Sequence, residues 1–236
     1  MEKLQKVIAN AGYCSRRKAE ILITEGKVKV NGVEATLGMR VLSNDKVEVE
    51  GIQLTKPQLQ YYLLYKPAGY VSTTMDEHRR KTVIDLIDTS ERTYPVGRLD
   101  VNTSGLLLLT NDGDFTNRLL HPKYKITKTY IAKVNDIVTM KEINILKRGI
   151  YIENMKIIPD SVRVKSKNLK NKTSIVEIII HDGKNHEVKK IFAAINMEVL
   201  ALKRTTFAFL NLNGLKKGEY RLLNPKEIKK LLNLAK

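Results

Sequence analysis

The sequence predicts an α+β fold in two parts, a small N-terminal module of two helices and a hairpin and a larger domain with a large mixed sheet flanked by helices. Helical spacing of apolar residues in the first 25 positions gives way to polar and apolar alternation. A polar stretch around Pro57 then precedes a second series of strand and helix patterns. With 236 residues, 42% of them hydrophobic, the chain can bury a core in each part.

The first 51 residues account for the small module. Apolar residues spaced as on one helix face predict a first helix that ends at Gly12. Ser15 is placed to cap a second helix that ends near Gly26. Alternating residues on both sides of Asn31-Gly32 predict a hairpin, and residues 46–50 predict a further strand.

Residues 53–60 have the composition of a linker, so we expect a boundary near Pro57, with one domain at 1–56 and another at 57–236. The larger domain shows strand patterns at 61–65, 106–110, 128–134, 174–180 and 199–212. Its predicted helices begin at the candidate caps Asp114, Thr139, Asn185 and Asn224. Their expected buried faces include Phe115 in the first helix and Val188, Ile191 and Phe192 in the third.

The most informative stretch is 94–105, which carries Asp100. Gly97 and the Thr-Ser-Gly sequence at 103–105 are typical of a loop, and a buried strand follows. A loop on a rigid scaffold can aim a carboxylate into a cleft. An aspartate in a loop is more often a turn former or a helix cap, so the pattern alone gives Asp100 only a modest claim.

The charge indicates a polyanionic partner, because the chain carries a net charge of +17. Residues 1–50 hold nine Lys and Arg against seven Asp and Glu, so about +15 lies in the rest of the chain. No apolar run reaches membrane-spanning length, which favours nucleic acid over a membrane. A single cysteine, Cys14, and a start without a signal-peptide core predict a cytoplasmic protein, and the four histidines lack metal-ligand spacing.

The stretch GRLDVNTSGLLLLTNDGDF, residues 97–115, resembles the signature of the RsuA/RluB family of bacterial ribosomal RNA pseudouridine synthases. The resemblance implies that Asp100 is the essential catalytic residue, flanked by Arg98, on a mostly antiparallel sheet and with no cofactor. The sequence SRRK, with Arg16, Arg17 and Lys18, resembles the RNA-binding module first seen in the S-four ribosomal protein. Such modules read structured RNA by its shape and its phosphates.

Two further site residues follow from the resemblance. Tyr130 matches the tyrosine that packs against the target base and can assist proton removal. Lys189 matches the basic residue that pairs with the catalytic aspartate, within the segment GKNHEVKK. The family most often has Gln-Val-Arg-Arg where this chain has Glu187-Val-Lys-Lys190, so the charge is kept at positions 189 and 190 but the bidentate guanidinium is not.

The implied reaction breaks the bond from ribose to N1 of uracil, turns the base and rejoins it through C5. Asp100 could attack the sugar, attack the ring, or remove a sugar proton to give a glycal, and the sequence does not choose among these routes. The base must also leave its stack. We assign the filling of the gap to Arg98 and the stacking to Tyr130.

We therefore expect an enzyme that acts on ribosomal RNA or an assembling ribosomal particle as a monomer, with the large-subunit RNA favoured by the RluB-like run after Asp100. Lys66, Lys184 and Lys190 are expected to contact RNA. One alternative is a non-catalytic RNA-binding or ribosome-assembly factor on the same fold. A metal-dependent phosphodiester enzyme using Asp100, Asp112 and Asp114 is a weaker alternative, since Asn111-Asp-Gly-Asp114 has a simpler interpretation as a turn and a cap.

Overall fold

The computed structural model describes residues 1–236, and the chain divides into two compact units. The first unit contains Met1–Gln60 together with two short segments from later in the chain, Asp88–Tyr94 and Thr110–Gly113. The second contains Tyr61–Ile87, Pro95–Leu109 and Asp114–Lys236. Linker composition cannot predict the two added segments, because they join the first unit through contacts distant in sequence.

The first unit contains the two predicted helices and small antiparallel sheets. The helices are α1, Leu4–Asn10, and α2, Arg16–Thr24. The strands are β1, Glu2–Lys3; β2, Val28–Val30; β3, Val33–Glu34; β4, Arg40–Val41; β5, Val47–Val49; and β6, Ile52–Gln53. The order β3-β2-β5-β6 forms one sheet, and β1 pairs with β4. The Ser15 side chain accepts a hydrogen bond from the Lys18 N–H at 3.2 Å, which confirms the predicted cap of α2.

The hairpin between β2 and β3 turns at the predicted residues. Asn31 and Gly32 have φ values of 52° and 84°, and Val30 pairs directly with Val33. Positive φ at both central residues is the type I′ geometry that joins twisted strands, which is why Asn-Gly is favoured there.

The second unit is built on the nine-stranded sheet, with helices and two short 3₁₀ helices around it. The strands of this unit are β7, Tyr61–Lys66; β8, Tyr94–Pro95; β9, Thr103–Thr110; β10, Lys128–Val134; β11, Ile150–Ile152; β12, Met155–Ile157; β13, Ser161–Asn168; β14, Thr173–Ile180; β15, Val199–Phe207; β16, Leu210–Asn211; and β17, Tyr220–Leu222. Nine of them form the large sheet in the order β13-β14-β10-β15-β9-β7-β17, with β8 paired to β9 and β16 to β15, and β11 and β12 form a separate two-stranded sheet. The helices are α3, Gly113–Leu120; α4, Met140–Arg148; α5, Glu187–Ala193; α6, Pro225–Leu234; and the 3₁₀ turns Val83–Leu86 and Pro122–Tyr124.

The sheet is mixed and mostly antiparallel, as expected. The pairings of β10 with β14 and β15, of β13 with β14 and of β7 with β17 are antiparallel, whereas β9 and β15 are parallel. Strand β9 is buried on both faces: Leu107 and Leu109 belong to one hydrophobic cluster, and Leu106 and Leu108 to the other. Burial on both faces explains a continuous apolar run rather than an alternating one.

Two of the predicted caps in the second unit are confirmed. Thr139 and Glu142 form a capping box at the start of α4. Asn224 and Glu227 form another at the start of α6, where Pro225 is the first helical residue. No helix in the structure combines the length and the apolar character needed to cross a membrane.

Three local predictions were wrong. Strand β9 begins at Thr103, so the Thr-Ser-Gly sequence belongs to the strand rather than to the loop. Helix α3 begins at Gly113, which places Asp114 in its first turn and not at the cap. Asn185 does not cap α5, because His186 occupies the cap position in a left-handed conformation with φ 54°. The Glu187 carboxylate instead accepts the N–H groups of Gly183 and Lys184, at 2.6 and 2.9 Å.

Gly105 explains how the parallel strands can approach. It lies opposite Arg204 in the pairing of β9 with β15 and has φ 124°. A Cβ atom at this position would overlap the backbone of Arg204. Because only glycine fits both the conformation and the space, it allows the strand that follows Asp100 to pair with the strand that carries Arg204.

Candidate active site

The second unit contains a cavity of about 590 Å³ where the loop before β9 meets the start of α5. It is lined by five of the ten predicted site residues, together with His186 and Arg204, which were not predicted. The five are Arg98, Asp100, Tyr130, Lys184 and Lys189. Among all lining residues, five are Lys or Arg and three are Asp or Glu, so the cavity wall carries more positive than negative charge.

The Asp100 carboxylate has two partners on α5 or at its cap, the ammonium of Lys189 and the imidazole of His186. Its Oδ2 lies 2.7 Å from Nζ of Lys189 and 3.1 Å from Nδ1 of His186. Burial acts to raise the pKa of Asp100, but the hydrogen bonds and charges of Lys189 and His186 outweigh it, so the pKa lies below its ordinary value. The carboxylate is therefore ionised at neutral pH and can serve as a nucleophile or a base.

The backbone around Asp100 is held by Lys66, at the end of β7. The Lys66 side chain is buried, and its ammonium donates to the carbonyls of Asp100 and Thr103, at 3.1 and 2.9 Å, and also to those of Pro67 and Val101. Burial lowers the pKa of Lys66 to about 8. This position corrects the expectation that Lys66 contacts RNA, since a fully buried ammonium occupied by four carbonyls cannot reach a phosphate.

A hydroxyl holds the other side of the loop. Ser72 Oγ donates to the carbonyl of Leu99 at 2.8 Å and accepts from its N–H at 3.1 Å. With Lys66 this fixes the chain on both sides of Asp100, although the loop has no regular secondary structure.

Tyr130 and Arg204 lie side by side on β10 and β15. Tyr130 is 7% exposed, and its hydroxyl accepts a hydrogen bond from Nη1 of Arg204 at 3.4 Å. Arg204 is 3% exposed, and its Nε donates to the Leu106 carbonyl at 2.7 Å. Lys128, two residues before Tyr130, also lines the cavity; its buried ammonium donates to the carbonyls of His181 and Asp182.

The remaining predicted RNA-binding residues lie on the surface. Arg16, Arg17 and Lys18 are exposed in the first turn of α2, in the first unit. In the second unit Arg98 and Lys184 are exposed, whereas Lys190 is half-buried and forms an ion pair with Glu153 at 2.5 Å. All six of these side chains are therefore at least partly accessible to solvent, whereas Lys66 is not.

Sequence reasoning missed His186, Arg204 and Lys128. A signal was available for Arg204, because a strand of period two places it on the same face as Leu202, which is buried. A cation on a buried strand face is unusual and points to a site. No comparable signal exists for His186, whose position depends on the backbone turn before α5. The structure contains no group of three or more His, Cys, Asp and Glu side chains that could hold a metal ion.

Comparison with known proteins bears on the whole chain. Residues 60–194 match the family model of RNA pseudouridylate synthases, and residues 2–47 match that of the S4 domain. The chain is 51% identical to the ribosomal large subunit pseudouridine synthase B of Bacillus subtilis, over 100% of this chain and 97% of that protein. It is 42% identical to an uncharacterized RNA pseudouridine synthase of Aquifex aeolicus, over 97% of this chain and 93% of that protein.

The fold has a solved counterpart. A crystal structure of a pseudouridylate synthase, 31% identical in sequence, superposes with a TM-score of 0.67 and covers 98% of this chain and 100% of the other. With a family model that matches more than half of the chain and relatives that match it from end to end, the chain belongs to the RNA pseudouridylate synthase family.

Proposed function

We propose that the protein isomerises a specific uridine of ribosomal RNA, in the large subunit, to pseudouridine, with Asp100 as the catalytic carboxylate and no cofactor. The large-subunit substrate is supported by the 51% identity to the Bacillus subtilis enzyme of that name. The observation that carries the catalytic role is the position of Asp100 in the cavity, with its carboxylate 2.7 Å from Nζ of Lys189.

The site supplies what each step of the isomerisation requires. Asp100 meets the electron deficit that develops at the sugar, either by forming a bond to it or by taking its proton. Lys189 keeps the carboxylate ionised in a partly desolvated place. Tyr130 presents an aromatic ring on which the extruded base can stack, and Arg98 is exposed at the rim, where it can occupy the space the base leaves.

RNA affinity is assigned to cations outside the reacting centre. Arg16, Arg17 and Lys18 in a domain spanning 1–56, with Lys184 and Lys190 in a domain spanning 57–236, contact phosphates of the folded RNA. The protein acts as a monomer in the bacterial cytoplasm, on free ribosomal RNA or on an assembling particle. The net charge of +17 supports a partner of this kind.

The test replaces Asp100 by asparagine, which is nearly isosteric and removes the charge. We expect Asp100→Asn to abolish pseudouridine formation in ribosomal RNA while the affinity for the RNA changes little. Asp136→Asn, at an exposed position away from the cavity, is the control and should keep full activity. Normal modification by Asp100→Asn would exclude Asp100 as the catalytic group.

The substrate is identified by mapping pseudouridines in ribosomal RNA from cells with and without the gene. Loss of a single modified position in the large-subunit RNA is the expected result. A map that does not change would favour the alternative of a non-catalytic ribosome-assembly factor on this fold.

A further inference from the structure

Arg204 is held in a way that leaves part of its guanidinium unused by the protein. Nε donates to the carbonyl of Leu106 and Nη1 to the hydroxyl of Tyr130. Nη2 is buried and has no hydrogen-bond partner in the protein. A buried donor without a partner destabilises a fold, and more so when it is charged, so this arrangement requires a reason.

A role in supporting the sheet does not explain why Nη2 of Arg204 is left without a partner. One hydrogen bond to the Leu106 carbonyl would tie Arg204 to β9, and a lysine could make it. The guanidinium instead lines the cavity beside Tyr130, the residue to which base stacking is assigned. Its two anchored nitrogens fix the plane of the group, so the third is held in one direction.

The Arg204 guanidinium is not paired with a carboxylate, because its hydrogen bonds go to the Leu106 carbonyl and the Tyr130 hydroxyl. The buried ammonium of Lys128 lies in the same cavity wall, and both side chains are held by backbone carbonyls rather than by carboxylates. Burial, and then the charge of Arg204, lower the pKa of Lys128 to about 8, although the carboxylates of Glu187, Asp182 and Asp160 act in the opposite direction. This part of the cavity therefore favours a group that carries negative charge.

The isomerisation produces such a group. When the bond from C1′ to N1 breaks, its electron pair goes to the ring, and the negative charge spreads over N1, O2 and O4 of uracil. When C5 then bonds to C1′, the ring loses the proton from C5 and gains one at N1, so the product is an isomer of the substrate. The charge on the ring exists only between these two steps.

We propose that Arg204 binds a carbonyl oxygen of the target uracil through Nη2 and stabilises the negative charge of the ring after the glycosidic bond breaks. This inference rests on the proposed function. Donors that are fixed before the reaction act at the moment charge develops, and removing one such donor typically costs about 100-fold to 1000-fold in rate. A contact to O4 would also select against cytosine, which presents an amino group at that position, whereas a contact to O2 would not.

The experiment is a double-mutant cycle between Arg204 and the oxygens of the base. Single-turnover rates are measured for the parent protein, Arg204→Met and Arg204→Lys on three substrate RNAs whose target nucleotide is uridine, 2-thiouridine or 4-thiouridine. Sulfur accepts hydrogen bonds poorly, so one thio substitution should slow the parent by about tenfold. Arg204→Met should be about 100-fold slower than the parent on uridine and should show no further loss with that same thio-RNA.

Matched controls separate this role from a structural one. Lys203→Met alters the neighbouring residue on β15, which does not line the cavity, and should keep the rate of the parent. Arg204→Lys keeps a charge but loses the fixed fork, so it should be intermediate in rate and show a smaller thio effect than the parent. If Arg204→Met does not fold, as judged by thermal melting, the comparison of Arg204→Lys with the parent on the thio-RNAs decides the question.

Independent losses, in which neither thio effect changes when Arg204 is replaced, would overturn the inference, as would an Arg204→Met protein as active as Lys203→Met. A parent protein that forms no pseudouridine in unmodified RNA would instead overturn the proposed function. The two failures are therefore distinguishable.

Discussion

The basic side chains near Asp100 fall into two groups that are held in different ways. Lys189 and His186 have partly exposed side chains, 35% and 47%, and pair with the carboxylate itself. Lys66, Lys128 and Arg204 are at most 5% exposed and are held by carbonyls of the backbone. The first group contacts the reacting carboxylate, whereas the second supports the backbone around the cavity. Substitutions in the first group should therefore change mainly the reaction rate, and a substitution such as Lys66→Met in the second should also lower stability.

The largest effect is expected in the buried group, at Lys66. Lys66→Met removes the ammonium that four carbonyls near Asp100 share, although those of Asp100 and Val101 keep a backbone N–H donor. We expect the free energy of unfolding to fall by about 3 kcal/mol. Denaturant titration measures the loss. Lys56→Met, at an exposed position, is the control and should change stability by no more than about 0.5 kcal/mol.

The pH dependence of stability provides a second signature of Lys66. The pKa of Lys66 is about 8 in the folded protein, against the ordinary value of 10.5 expected for the unfolded chain. As the pH rises, the folded protein therefore loses this proton at a lower pH than the unfolded chain does. The contribution of Lys66 to stability therefore rises from about pH 8 to about pH 10.5, and Lys66→Met should lack that part of the rise. Parallel slopes for parent and variant over this range would mean that Lys66 is not desolvated.

The next effect is expected in the exposed group, at Lys189. Lys189→Met should lower the single-turnover rate by about 100-fold, since removing one partner of a partly desolvated ion pair costs about 2–3 kcal/mol. Without Lys189 the pKa of Asp100 rises, so the residual activity should move to higher pH. Lys189→Arg keeps the charge and should retain appreciable activity.

A pH–rate profile of the three proteins on one RNA decides this prediction. Equal activity and equal pH dependence for Lys189→Met would assign Lys189 to the solvated face of α5, and the partner of Asp100 would have to be sought elsewhere.

A smaller effect is expected at His186, the longer and more exposed contact. His186→Asn should reduce the rate by about threefold, as expected for an exposed polar contact worth less than about 1 kcal/mol. Asparagine is the appropriate replacement because it tolerates the left-handed backbone at this position, where φ is 54°. A loss as large as that of Lys189→Met would show that both contacts to Asp100 are needed equally.

The smallest effect on rate is expected for the basic residues of α2, which do not line the cavity and to which only RNA binding is assigned. Replacing Arg16, Arg17 and Lys18 together by alanine should weaken RNA binding without lowering the single-turnover rate at saturating protein. Plots of binding against salt concentration should become shallower by about one unit of slope for each phosphate that the variant no longer neutralises. An unchanged salt slope would remove these residues from the RNA-binding surface.

The sequence predicts local features of this protein well and long-range ones unevenly. Strand β10 and the capping boxes of α4 and α6 depend on neighbouring residues, and their positions were confirmed. The approach of Lys189 to Asp100, 89 positions apart, was expected only from the family resemblance. His186 could not be predicted, because its position depends on the left-handed backbone conformation before α5, which the hydrophobic pattern of the sequence does not reveal. Lys66 was misplaced because exposure is a property of the packed sheet.

Gly105 has a consequence for any effort to diversify this enzyme. The backbone of Arg204 occupies the space that a side chain at position 105 would need. Even alanine at this position would therefore push β9 and β15 apart. Libraries that seek a new base preference could vary lining residues to which no role is assigned, but position 105 has to stay glycine. The distance between β9, which follows Asp100, and β15, which carries Arg204, therefore depends on the absence of a Cβ atom at position 105.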